Sequence, residues 1–367
     1  MNKTIKILAC AAILGSAILT GCEKNSLNSR KGEVIRFSAV SEGAPSTKTA
    51  YGNDVDNYQM INWSVNDTIR IWSDNALHRY GDNQHWADYY TTGSTADGHK
   101  STATLAAEQL FNTDNDNPNN SANGLVWGDE TTCQFWGIYP SKKDGRITID
   151  ADGAVTATLP STFTLSTSGT KTDNSISYKV CAPDMNYAFM TAYNKVENAP
   201  AKVNLEFNPA FTAFEIYLSS SEDETDGGFS VNSLTLTATG SSDYLSGPFT
   251  ITAGNLSTAT AAEGAQKSVS VTFNSAVAIT PTTGIDVTFF TMPITNTGAI
   301  VLQVATTEGT ATLRFTKKNS SNAYEFEAGQ KYRIHLLKLG GRWRIVFGGD
   351  DMDVEPWEQS STGLIVE

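Results

Sequence analysis

Apolar residues in this chain recur every second position, in run after run. Ile35, Phe37 and Ala39 alternate with Arg36, Ser38 and Val40. Ile61, Trp63 and Val65 repeat the pattern, as do Val203, Leu205 and Phe207, then Phe214, Ile216 and Leu218, Val269, Val271 and Phe273, and Ile300, Leu302 and Val304. Period-two alternation puts one apolar face on an extended backbone, so these are half-buried strands. Turn chemistry separates them at Tyr51-Gly52-Asn53-Asp54, Asn123-Gly124, Asp144-Gly145, Asp152-Gly153 and Glu308-Gly309. Beyond the N-terminal segment, only the short stretch from Leu105 to Phe111 reads as helical. Many short strands with almost no helix predict an all-β chain built as β-sandwiches, not an α/β enzyme fold.

The N-terminus carries a different pattern. Lys3 and Lys6 precede an apolar run over residues 7–18, and the run ends in Leu19-Thr20-Gly21-Cys22. That run is shorter than the roughly 18 to 20 residues a spanning helix needs, and its order of charged, apolar and small residues is that of a signal peptide. The small residues before Cys22 make a lipobox. A peptidase is expected to remove residues 1–21, leaving Cys22 to carry lipid, palmitate included, on an exported protein. Residues 22–32 then read as a tether. The 346 residues left after cleavage suit two domains. The acidic, glycine-containing stretch 219–228 interrupts the strand pattern, which predicts domains over 33–222 and 223–367.

Losing Lys3 and Lys6 leaves 24 basic against 39 acidic residues. Nucleic acid is therefore an unsuitable partner, because phosphate binding is driven by Lys and Arg. Cys10 departs with the signal, so Cys133 and Cys181 are left to pair or to stay as buried thiols. The four histidines, His78, His85, His99 and His335, form no His-x-x-x-His pair, and there is no Gly-x-Ser-x-Gly elbow or phosphate loop. No catalytic residue, metal or cofactor is expected. His78, His85 and Asp88, and the run Asp114-Asn115-Asp116-Asn117, read as solvated loops because ligand spacing is missing. Trp72, Trp86, Tyr89, Tyr90 and Trp127 could stack on sugars, but as large aromatics they are expected to plug sandwich ends and cover the core. Asp67-Thr68-Ile69 is similar to an O-glycosylation acceptor.

Several segments together resemble the fimbrillin family, the lipoprotein-type subunits of type V pili in anaerobic Gram-negative bacteria. They are Val34-Ile35-Arg36-Phe37-Ser38-Ala39, Thr47-Lys48-Thr49, the stretch 61–71, Phe135-Trp136-Gly137-Ile138-Tyr139-Pro140, Asp184-Met185-Asn186-Tyr187-Ala188, the stretch 326–334 and Val354-Glu355-Pro356-Trp357-Glu358. Asn208-Pro209 departs from the pattern, since many relatives carry a histidine there. The resemblance implies two transthyretin-like β-sandwich domains after the lipoprotein signal peptide. It also implies a precursor anchored in the outer membrane by lipid, trimmed after an Arg or Lys, and joined to other fimbrial subunits at the cell surface by donor-strand exchange, with a role in adhesion.

Lys48 is the expected cut, in an exposed Ser/Pro/Thr-containing segment. Arg36 is the runner-up because it lies inside the first strand. Leu364, Ile365 and Val366, apolar at the end of a polar tail, are the expected donor strand, with an ordinary last strand as the alternative. Pro356 should mark the start of that tail, having no N–H for a ladder. A second functional reading is a surface lipoprotein that binds host or bacterial glycans without polymerising.

Overall fold

The computed structural model describes residues 29–42, 50–55, 58–78, 85–97, 100–107, 124–141, 146–149, 155–173, 175–221, 229–252, 255–297, 299–317, 324–339, 342–345, 354–355 and 364–366. The chain is all-β, as the alternation predicts. Among the described residues the one helical element is a single 3-10 turn, Met185–Tyr187, where the Asp184 carboxylate accepts from the Asn186 amide at 3.0 Å.

Seven strands close into a barrel: β1 (Phe37–Glu42), β2 (Thr68–Ser73), β3 (Trp86–Asp97), β4 (Lys100–Ala107), β5 (Thr132–Tyr139), β6 (Met190–Glu197) and β7 (Val203–Pro209). Around the barrel the order is β1-β7-β6-β5-β2-β3-β4, returning to β1. Every pairing is antiparallel except β1 with β7, which run parallel from Phe37↔Val203 to Val40↔Glu206. The first set of strands thus joins into one closed sheet. With β1 paired on both sides, no edge of this sheet is left open.

Alternate residues fill the interior, as period two demands. Phe37 meets Tyr89 and Phe135 edge-on, each with centroids 5.2 Å apart, and Trp63 meets Phe207 at 5.2 Å. Gly137 faces inward on β5. A methyl group there would stand 2.7 Å from the Phe207 ring, so only glycine lets that ring cross β5.

Two local expectations are corrected. Leu105 lies in β4, paired with Thr91 of β3, so the start of the helical reading at 105–111 is strand; two strand neighbours outweigh a short helical preference. Tyr51 to Asp54, read as a turn, lies within the strand Ala50–Val55. That strand pairs with Tyr58–Asn62, and the Gly52-Asn53 step is absorbed as a register shift.

Two larger sheets lie beyond the barrel. One runs in the order Thr162–Leu165, Ser268–Ile279, Phe229–Ala238, Ile300–Thr306, Gly309–Lys317, Leu364–Val366. The other runs Gly169–Asp173, Ile176–Cys181, Thr283–Thr291, Thr212–Ser220, Lys331–Leu339, Arg342–Ile345. Phe229 of the first meets Trp343 of the second edge-on at 5.4 Å. The strand Thr212–Ser220 precedes residue 222, yet it pairs with Thr283–Thr291 and Lys331–Leu339. Sheet membership therefore interleaves across the 222/223 division.

Candidate functional site

The segment around Arg36 is bound by backbone along its whole length. Gly32 donates to Trp127 O at 2.8 Å, Ile35 to Leu125 O at 2.9 Å, and Val203 donates to the Arg36 carbonyl at 2.9 Å. The Arg36 side chain is exposed, one residue before β1. From there β1 pairs with β7 on one side and with β4 on the other, from Ser38↔Thr104 to Glu42↔Lys100. Ile35, Phe37 and Ala39 fill successive inward positions, all fully buried. Removal of this strand would bare two rows of ladder groups and three apolar pockets two residues apart. Lys48 and Cys22 lie outside the described residues, as do Asp114-Asn115-Asp116-Asn117.

At the other end of the chain, Leu364–Val366 pairs antiparallel with Gly309–Lys317 through Phe315↔Val366, Thr316↔Ile365 and Lys317↔Leu364. It is the edge strand of its sheet, held by one neighbour over three residues. The tail thus docks on its own chain here, by a short pairing. Val354–Glu355 makes a separate pairing with Lys331 and Tyr332, and Pro356 lies outside the described residues.

The aromatic residues divide into two groups. Tyr89 and Trp127 are buried in the barrel, as core residues should be. The Tyr89 hydroxyl accepts from the Leu125 amide at 2.9 Å, and burial pushes its ionisation well above the ordinary tyrosine range. Trp72 and Trp86 are instead on the outward positions of β2 and β3, opposite one another, Trp86 exposed and Trp72 half-buried with part of its side chain packed on the core. Trp72 is also opposite Trp136 of β5, and Trp136 is opposite Tyr193 of β6. Four strands therefore carry one continuous row, Trp86-Trp72-Trp136-Tyr193, on the outside of the barrel. Trp86 is 38% exposed and Tyr193 is 41% exposed. Tyr193 was missed in the sequence, and Trp136 enters there only as part of the run 135–140, not with the other tryptophans. Their signal was there, since each takes the outward position in a strand whose neighbours Phe135 and Ala192 face the core.

Polar groups hold both ends of this row. Arg70 donates to the two Asp88 carboxylate oxygens at 2.8 and 2.6 Å, and its guanidinium stands 3.8 Å from the Trp86 ring centroid. At the far end the Tyr193 hydroxyl donates to Gln134 Oε1 at 2.7 Å, while Gln134 Nε2 donates to Asp74 at 2.9 Å. Tyr193 and Trp136 rings lie 5.9 Å apart. Asp88 is thus the partner of Arg70, and His85 Nδ1 sits 2.9 Å from the Ala76 carbonyl. Among the described residues no three His, Cys, Asp or Glu side chains are placed to share a metal.

A second polar cluster lies on the sheet that contains Thr212–Ser220. Glu215 accepts from Arg333 Nε at 2.6 Å and from the Tyr217 hydroxyl at 3.1 Å, with Lys331 Nζ 3.3 Å away. Lys171 donates to the Tyr217 hydroxyl at 2.8 Å, and His335 stacks on the Tyr217 ring at 4.5 Å. Asp286, opposite Tyr217 and buried, is pushed up to about 7 by burial and by the Glu215 charge. Cys133 and Cys181 are separate, buried thiols; burial raises them to about 11 and about 12.

No protein-family model and no curated protein matches this sequence. Solved structures do match by fold. A protein of Bacteroides ovatus, named for a provisional role in cell adhesion, superposes with a TM-score of 0.52 at 14% identity, over 89% of this chain and 99% of its own. A similarly named protein of Bacteroides uniformis gives 0.49 at 14% identity, over 91% and 97%. The tip fimbrial protein Mfa3 of Porphyromonas gingivalis gives 0.39 at 8% identity, over 88% and 99%. The all-β architecture is that of the first of these.

Proposed function

We propose that this chain is a fimbrial subunit of the cell surface that polymerises by strand exchange and has a structural role rather than a catalytic one. The observation that supports this best is the position of β1. It is the first barrel strand in sequence, paired on both sides, and joined to the rest of the chain through the segment that holds Lys48. A cut after Lys48 frees β1 together with everything before it. The barrel is left with unpaired edges on β4 and β7 and vacant pockets for alternate side chains, which is a template for a strand from a neighbour. The tail strand Leu364–Val366 has the complementary character: three residues on a sheet edge, held by one neighbour. Lipid on Cys22 would hold the uncut precursor at the outer membrane. N-terminal sequencing of protein from native envelopes tests the whole scheme. A start at Thr49 with a ladder of oligomers on unheated gels is the expected result, and an acylated Cys22 on a permanently monomeric protein refutes it.

A further inference from the structure

We propose that the outward row Trp86-Trp72-Trp136-Tyr193 is a binding platform for an uncharged pyranose oligosaccharide. The row follows the strand-to-strand direction of the sheet, where neighbours are about 4.8 Å apart, so its three steps span roughly 14 Å. That length suits several linked sugar rings rather than one. Aromatic faces offer apolar area with an electron-rich surface, which complements the C–H face of a pyranose. The polar groups that sugar hydroxyls need lie alongside. Asp74 is exposed, with carboxylate capacity beyond its Gln134 contacts, and Gln134 holds its amide between Asp74 and Tyr193.

The support beneath the row distinguishes a site from scattered surface aromatics. Arg70, itself locked by Asp88, fixes the ring of Trp86. Gln134, itself locked by Asp74, fixes the hydroxyl of Tyr193. Freezing two exposed rings costs side-chain entropy that burial does not return, and such clamps make sense where a ligand gains from preorganisation. Charge decides the class of sugar. Arg70 is neutralised by Asp88, Asp74 adds a negative charge beside the row, and the chain carries a net charge of −13, so anionic glycans are disfavoured. A protein partner fits less well. A stable protein interface covers about 800 Å² per side, whereas this is a single file of rings flanked by ionic groups.

The purified full chain, uncut and therefore independent of strand exchange, would be run on native gels containing hydroxyethylcellulose, galactomannan or glycogen, with heparin and polygalacturonate as anionic comparators. Retardation by at least one neutral polysaccharide is expected, with affinity weakened about tenfold or more in Trp136→Ala and Trp72→Ala. Trp136→Phe should keep most of the binding, which separates ring loss from misfolding, and circular dichroism should match across variants. Val65→Ser, at an exposed turn before β2, should bind like the parent. The inference is overturned by any of three outcomes: no retardation by the neutral polymers, stronger retardation by the anionic ones, or a self-association that Trp136→Ala abolishes while sugar binding is absent.

Discussion

The ring of Phe37 stands edge-on to that of Phe135, with centroids 5.2 Å apart, and this contact ties the first barrel strand to β5 through the barrel interior. Phe37 is buried and also meets Tyr89, so it is the main anchor of β1. Phe37→Ala in the uncut chain should cost about 3–5 kcal/mol, the usual range for removing a buried phenylalanine. Denaturant unfolding measures it, and a midpoint equal to the parent's would mean that β1 is not anchored this way.

Lys48→Ala should leave the precursor uncut. Arg36 offers a protease little access, since its carbonyl accepts from Val203 and the doubly paired β1 begins at the next residue. Mass measurement of the mature N-terminus decides the point: polymers with a parental N-terminus would exclude Lys48, and a new start after Arg36 would transfer the role to that residue.

Deleting residues 361–367 removes Leu364, Ile365 and Val366 together with three backbone pairings on a single edge. So small a loss should leave the fold intact while polymer disappears. Folded monomers on size exclusion are therefore expected. Intact polymers would exclude the tail as donor, and an unfolded product would make it a structural last strand.

Asp286→Asn should stabilise the protein at neutral pH. The folded carboxyl titrates near 7, against an ordinary 3.8. Below both values it is neutral in the folded and unfolded chains alike. As pH rises from about 4 to 7 the unfolded chain loses its proton first, so stability falls across that window and stays lowered above it. Glu215 disfavours the charge, while Lys171, Lys331 and Tyr217 favour it less than burial opposes it. Asparagine removes the titration, with a gain on the order of 2 kcal/mol above pH 7 that fades toward about pH 4. Melting temperatures across that range check the trend; a gain that grows on acidification would reverse the sign argued here.

Strand identity was legible because it depends on neighbours two residues apart. Val203, Leu205 and Phe207 face inward as their alternation requires, and so do Phe37 and Ala39. The same local rule was blind to partners. Nothing near residue 37 says that β1 runs parallel to a strand 166 positions later, as Ser38↔Asn204 records. Closure of the barrel and the interleaving of sheets across 222/223 arise from that long-range pairing. So does the aromatic row, because Trp72 and Trp136 become neighbours only when β2 and β5 pair.

The sequence by itself determined the all-β class and the inward face of strands such as those carrying Phe37 and Ala39 or Val203, Leu205 and Phe207. Those properties follow from side-chain chemistry at a spacing of two. The tertiary structure alone decided that the first strand fills a slot between β4 and β7, and that four outward aromatics from four strands form one line. Register does this: backbone hydrogen bonds between distant segments set which residues stand side by side, and the local pattern carries no record of that choice.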